Sequence, residues 1–170
     1  MFGEEIEQID VQTMPSTYEG YSVVGKIKID SIDVEQYILN SSDDAAYEKG
    51  VVVLNNNGSI NNYGNFAIAG HNYENIFGKL NELNLGDKIT LIEKDYTETE
   101  YVVVSTDQVD PNNLECLLQD DSKIELTLIT CSEDSVTRFV VKAIEKEQYE
   151  KTSLENVVEN EIANITNEIE

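Results

Sequence analysis

The chain has 170 residues, enough for one domain that buries a core without help from disulfides or metals. Its 34 Asp and Glu against 11 Lys and Arg give a formal charge of −23, and the lysines are scattered, which excludes nucleic acid as a partner because phosphate binding relies on clustered cations. The two cysteines, Cys116 and Cys131, form neither a CxxC pair nor a zinc-ligand spacing, so a disulfide framework and a structural zinc site are excluded too. Dispersed carboxylates of this kind read as a solvated, self-repelling surface; calcium is compatible with them, but no EF-hand loop occurs and no cofactor is expected.

In chain order, residues 1–20 are acidic and aperiodic, broken by Pro15 and Gly20, and read as an N-terminal arm. "YSVVGKIKI" (21–29) alternates as a strand does, and "VVVL" (51–54) reads as a short buried one, while the segment between them is polar. "NNNGSINNYGN" (55–65) has the Asn and Gly content of tight turns with positive φ, and it leads into "FAIAGH" (66–71), a strand ending on Gly70 and His71. Ile76, Phe77, Leu80 and Leu83 then recur at helical spacing, with Gly86 where a left-handed cap belongs, so a helix is predicted over 72–87. Strands "KITLIE" (88–93) and "EYVVVST" (100–106) follow. Pro111 is suited to open a short helix over "VDPNNLECLLQDD" (109–121), which would bury Cys116. The last strands are "KIELTLITC" (123–131) and "RFVVKAIEK" (138–146).

Seven or eight short strands in mostly hairpin-sized steps predict a mainly-β barrel over residues 21–150. Residues 151–170 differ in kind: Thr152 and Glu155 have capping-box spacing, and Leu154, Val158, Ile162, Ile165 and Ile169 share one helical face. An acidic amphipathic helix is predicted there, docked on the barrel or on another chain, because a helix of that length is marginal alone. No 18-residue apolar span or signal-peptide core occurs, so the chain as given is expected to be soluble.

The chain contains one histidine and one arginine, and each stands at the end of a predicted strand, as does Cys131. A thiolate attacks carbonyl carbon, an imidazole moves protons, and a fixed guanidinium stabilises charge developing on a carbonyl oxygen; together these are the parts of acyl transfer. Singly, each has a plainer reading: a small buried hydrophobe, a satisfied loop residue, a surface charge.

The combination of "TLITC", Arg138 opening the next strand and "AIAGHN" about sixty residues upstream resembles the sortase family, and "IFGKLNELNLGDKITL" after the histidine adds to the resemblance. It covers roughly residues 21–146. The resemblance implies a closed eight-stranded β-barrel with short helices, and a cysteine transpeptidase with His71, Cys131 and Arg138 as catalytic residues. It further implies surface proteins with an LPXTG-like sorting motif as substrates, and an amine of a peptidoglycan precursor or another protein as acceptor. The implied location is the extracellular face of the membrane, held by an anchor outside this chain. The short hairpin from Cys131 to Arg138 is more similar to classes A and D than to class B, and a chain without Trp lacks the lid motif of class C. Two rivals stand beside this reading: a cysteine peptidase that does not transfer its acyl group, and a catalytically silent surface-binding barrel. In the arm, "MPSTY" (14–18) is similar to a sorting motif and suggests a lid over the substrate groove.

Overall fold

The computed structural model describes residues 14–41, 43–54, 58–132, 134 and 136–169. Nine strands are present among them: β1 (Thr17–Tyr18), β2 (Tyr21–Ile29), β3 (Val34–Leu39), β4 (Val51–Val53), β5 (Gly64–Ala69), β6 (Lys88–Glu93), β7 (Glu98–Val109), β8 (Ile124–Cys131) and β9 (Arg138–Glu145), followed by helix α1 (Lys146–Ile169). Their spatial order is β1-β2-β3-β4-β5-β8-β9-β7-β6, and β6 returns to pair antiparallel with β2. Eight strands therefore close into a barrel, and β1 hangs on β2 as a two-residue flap. Closure removes the free edges that an open sheet of this size would present.

The alternation read in the sequence sets which side chains face inward. Along β2, Gly25, Ile27 and Ile29 are buried while Lys28 points to water, and a register shift between Val23 and Gly25 turns Val23 into a separate cluster. Phe66, Phe77 and Tyr101 are the largest side chains of the central cluster. Tyr101 is buried and its hydroxyl accepts the backbone N–H of Asn61 at 2.9 Å; burial pushes this phenol up to about 12 and keeps it neutral. Gly25 sits on the closing seam, where a Cβ would collide with the Ile92 carbonyl oxygen. A smaller cluster of Val23, Leu39, Ala46, Val52 and Ala69 lies outside the barrel, covered by Met14, Tyr18, Tyr37 and Tyr47.

Four expectations change. The polar stretch after β2 contains β3, which pairs antiparallel with β2 after Asp33 turns the chain in the left-handed region at φ 59°. Polar Gln36 stands between buried Val34 and Ile38, and Ile38 and Leu39 are buried side by side, so period-2 alternation is weak there. The predicted helix over 72–87 is instead a run of turns with one 3-10 turn, Leu80–Glu82; Ile76, Phe77, Leu80 and Leu83 are buried all the same. Spacing that buries one face does not require the α-helix that first suggests it. Likewise the segment after Pro111 holds only a 3-10 turn, Glu115–Leu117, and leaves Cys116 half-buried.

The last change concerns α1, which begins at Lys146, before the predicted start. Its cap is Glu145, whose carboxylate accepts the N–H groups of Glu147 and Gln148, each at 3.0 Å. Thr152 lies inside the helix, its hydroxyl donating to the Gln148 carbonyl. Only the first turn touches the barrel: Lys146 pairs with Glu100 at 3.1 Å, and the Gln148 side chain accepts from Ile124 N and donates to Ser122 O. Beyond it the apolar stripe is exposed, Ile165 at 58 % and Leu154 at 70 %, so of the two expected partners, the barrel or another chain, the barrel does not cover it. Ending the chain after Glu150 should therefore leave the melting temperature within about 2 °C of the intact protein in a thermal melt, since exposed positions contribute little to stability.

Candidate functional site

Strands β5 and β8 are parallel neighbours with Ala69 opposite Ile129, so the residues that follow each of them leave the barrel at the same rim. Gly70 N donates to Ile129 O at 3.1 Å, and the buried Thr130 hydroxyl donates to Gly70 O at 2.8 Å. These bonds hold Gly70–His71 beside Thr130–Cys131. The third element arrives from the other side: β9 is antiparallel to β8, and its first residue, Arg138, faces Cys131 across the ladder. The connecting loop is closed by Ser132 N donating to Thr137 O at 3.0 Å. His71, Cys131 and Arg138 line one cavity of about 470 Å³.

The backbone around His71 is folded tightly. Phe77 N donates to His71 O at 3.0 Å and Gly78 N to Tyr73 O at 2.8 Å. A Cβ on Gly70 would press on Phe77, Ile76 and Val51, and one on Gly78 would stand 2.6 Å from Asn72 O. These two glycines let the chain double back under the imidazole. The ring stacks on Tyr73 with centroids 4.6 Å apart, and its Nε2 lies 3.1 Å from Glu48 Oε1, which also accepts the Tyr73 hydroxyl at 3.4 Å. Ring orientation is thereby set from two directions. The Arg138 Nη1 donates to Thr137 O at 3.4 Å, and among the described residues Arg138 forms no salt bridge. In a chain with 34 acidic residues, that leaves the guanidinium available to an incoming group.

Apolar wall residues complete the cavity, among them Leu54, Ala69, Leu114, Leu117, Ile129 and Val140. Cys116 also lines it, but burial pushes its thiol up against the opposing pull of Lys142, so it is the poorer nucleophile by its surroundings. Both cysteines are free. "MPSTY" does not enter the cavity: Ser16 O accepts Val23 N, and Thr17 and Tyr18 pair with Ser22 and Tyr21. Residues 1–13 of the arm lie outside the described residues.

The sequence reading missed Glu48, Tyr47 and Tyr73. Tyr47 and Glu48 sit in the 3-10 turn Asp44–Glu48 within the stretch read as polar, and no local pattern points them at a histidine more than twenty residues later. It also missed how the loop bearing Leu114 and Leu117 is fixed. Asn65 and Thr127 are fully buried; Thr127 Oγ1 donates to Asn65 Oδ1 at 2.7 Å, and Asn65 Nδ2 donates to Cys116 O at 2.7 Å. Gln119 returns two bonds to the Asn65 backbone. Asn65→Ala strands these buried partners at a cost of about 2–3 kcal/mol. The expected melting temperature is roughly 5–10 °C lower, read by calorimetry.

The sortase-domain family model matches residues 27–146. The chain belongs to the sortase family. It is 33% identical over 143 residues to sortase A of Bacillus anthracis, covering 81% of this chain and 67% of that one. Among solved structures, a sortase D5 transpeptidase of Clostridium perfringens is similar with a TM-score of 0.68 at 25% identity, over 74% of this chain and 79% of that one. Sortase C of Clostridium perfringens SM101 shares the fold at a TM-score of 0.67 and 24% identity, over 78% and 75%. This sortase is thus a cysteine transpeptidase on the eight-stranded barrel described above. Likeness to sortases called A, C and D leaves the class undivided by fold.

Proposed function

We propose that Cys131, His71 and Arg138 are the catalytic residues of this sortase and that it acts on an LPXTG-like sorting motif. The Cys131 thiolate attacks the Thr carbonyl carbon, and a C–S bond forms. Arg138 holds the oxyanion and the peptide. As the C–N bond breaks, His71, oriented through Nε2 by Glu48, gives its proton to the departing amine from the other ring nitrogen. An acceptor amine, from a peptidoglycan precursor or another protein, then attacks the thioester; a C–N bond forms as the C–S bond breaks, the amine's proton returns to His71, and Cys131 leaves as thiolate. The observation that carries this reading is the convergence of three strand ends on one cavity, with the chain's single arginine in no salt bridge among the described residues.

The short loop after Cys131, the absence of Trp and the identity with sortase A support class A or D. We place the enzyme at the extracellular face of the membrane, anchored by a segment outside this chain. No helix among the described residues is long and apolar enough to cross a membrane. The test is incubation with a panel of LPXTG-like peptides, with and without small amines, followed by mass spectrometry. The expected products are a thioester on Cys131 carrying the N-terminal peptide fragment and an amide when amine is added. Intact peptides across the panel, or cleavage without a Cys131 adduct, would overturn it.

A further inference from the structure

Leu154, Val158, Ile162, Ile165 and Ile169 of α1 are between 49 and 80 % exposed, and they follow one another at steps of three or four residues along one side of the helix. Steps of that size form the seam along which two helices pack. What distinguishes this face is where the charge lies. Glu155 and Glu159 directly follow Leu154 and Val158 on one flank, while Glu161 and Glu168 directly precede Ile162 and Ile169 on the other, so acid borders the seam on both sides. The opposite face carries Ser153, Asn156, Asn160, Asn164 and Asn167, none of them charged. Charge that served solubility alone would stand on that far face. Among the described residues, Glu155, Glu159, Glu161 and Glu168 form no salt bridge, and no Lys or Arg follows Lys151.

We propose that α1 is the docking surface for an amphipathic helix of another protein, one whose own apolar seam is flanked by Lys or Arg. Residues bordering a helix–helix seam decide which partner is accepted, and here they ask for cations on both sides. A second copy of this chain matches the seam but not its borders, because it brings further Glu and no cation beyond Lys151. An anionic lipid surface is repelled for the same reason. The helix is also held ready: the Glu145 cap, the Lys146–Glu100 pair and the Gln148 bonds fix its first turn on the barrel, so a partner finds the seam already formed. At about 1.5 Å per residue its 24 residues offer roughly 36 Å of length.

The test uses the full chain and a pair of synthetic helices of about four heptads, alike in their Ile and Leu seam, one flanked throughout by Lys and the other by Glu. Fluorescence anisotropy of the labelled peptides reads binding. The Lys-flanked helix should bind and the Glu-flanked helix should not. A chain of charge −23 attracts any cationic peptide, so the deciding variant leaves the charge untouched. Ile162→Gln with Ile165→Gln keeps good helix formers at exposed positions, so the melting temperature should hold while affinity for the Lys-flanked helix falls at least about tenfold. Glu159→Gln, Glu161→Gln and Glu168→Gln together, with the seam intact, should weaken it roughly three- to tenfold. Unchanged binding by the Ile→Gln variant, equal binding of both helices, or no binding of either would overturn the proposal. So would a dimer of the unaltered chain in sedimentation, or its uptake onto phosphatidylcholine vesicles, if the Ile→Gln variant lost it, since the seam would then belong to a second copy or to a membrane.

Discussion

Cys131→Ala should abolish acyl transfer completely while the protein still melts within about 4 °C of the unaltered one. The side chain lies half-buried at a strand end on the rim, outside the packed interior, so its removal costs under about 1 kcal/mol of buried area. The proposed chemistry has no such tolerance: with Cys131 as nucleophile, loss of its sulfur removes the thioester and the route to the amide. Cys116→Ala should still form the adduct, since that thiol is pushed up by burial and sits on the cavity wall away from the strand-end register shared with Arg138. Mass spectrometry of each variant with one peptide separates the two thiols. Adduct on Cys131→Ala, or its loss on Cys116→Ala alone, would reassign the nucleophile.

The second large effect is expected at Arg138. Lysine keeps the positive charge but loses the planar fork, which can hold two acceptors at once. Arg138 sits where β9 begins, directly across the ladder from Cys131, and its guanidinium has no carboxylate partner among the described residues. If it stabilises the oxyanion, Arg138→Lys should lower kcat by about 10²- to 10³-fold, the range for loss of an oxyanion donor. A change confined to KM would show that it only holds the peptide, and wild-type kinetics would remove it from the reaction.

Much of this arrangement was legible in the sequence because the strands carrying it are strongly patterned. "KITLIE", "LTLITC" and "RFVVKAIE" alternate or run apolar over their full length, and the barrel they build places their ends with little freedom. Scarcity helped as well: one histidine, one arginine and a cysteine, each at a strand end, are few enough to be weighed together. What stayed hidden depends on tertiary contact. β3 interrupts its alternation with Gln36 and with buried Ile38 and Leu39 side by side, and Ile76, Phe77, Leu80 and Leu83 join the barrel core without an α-helix. Glu48 reaches His71 only because the turn preceding β4 folds over the same rim that β5 leaves. Nor does any local signal show that α1 projects from the body, because an amphipathic stripe reads the same whether or not something covers it.

The parallel pairing of β5 with β8 has a kinetic side. Gly64 meets Ile124 and Ala69 meets Ile129, so the strands that bring histidine to cysteine are joined through the whole β6–β7 hairpin and the loop after it. Closing a connection of that length costs chain entropy before any contact compensates for it. Barrels dominated by such distant pairings fold in milliseconds to seconds, far more slowly than helical bundles of equal size. The proposed reactive centre therefore depends on a pairing that cannot form until both β5 and β8 are present. Until β8 has paired with β5, nothing holds the Cys131 thiol and the His71 imidazole at one rim, so the distance between them is set by the slowest kind of pairing in the fold.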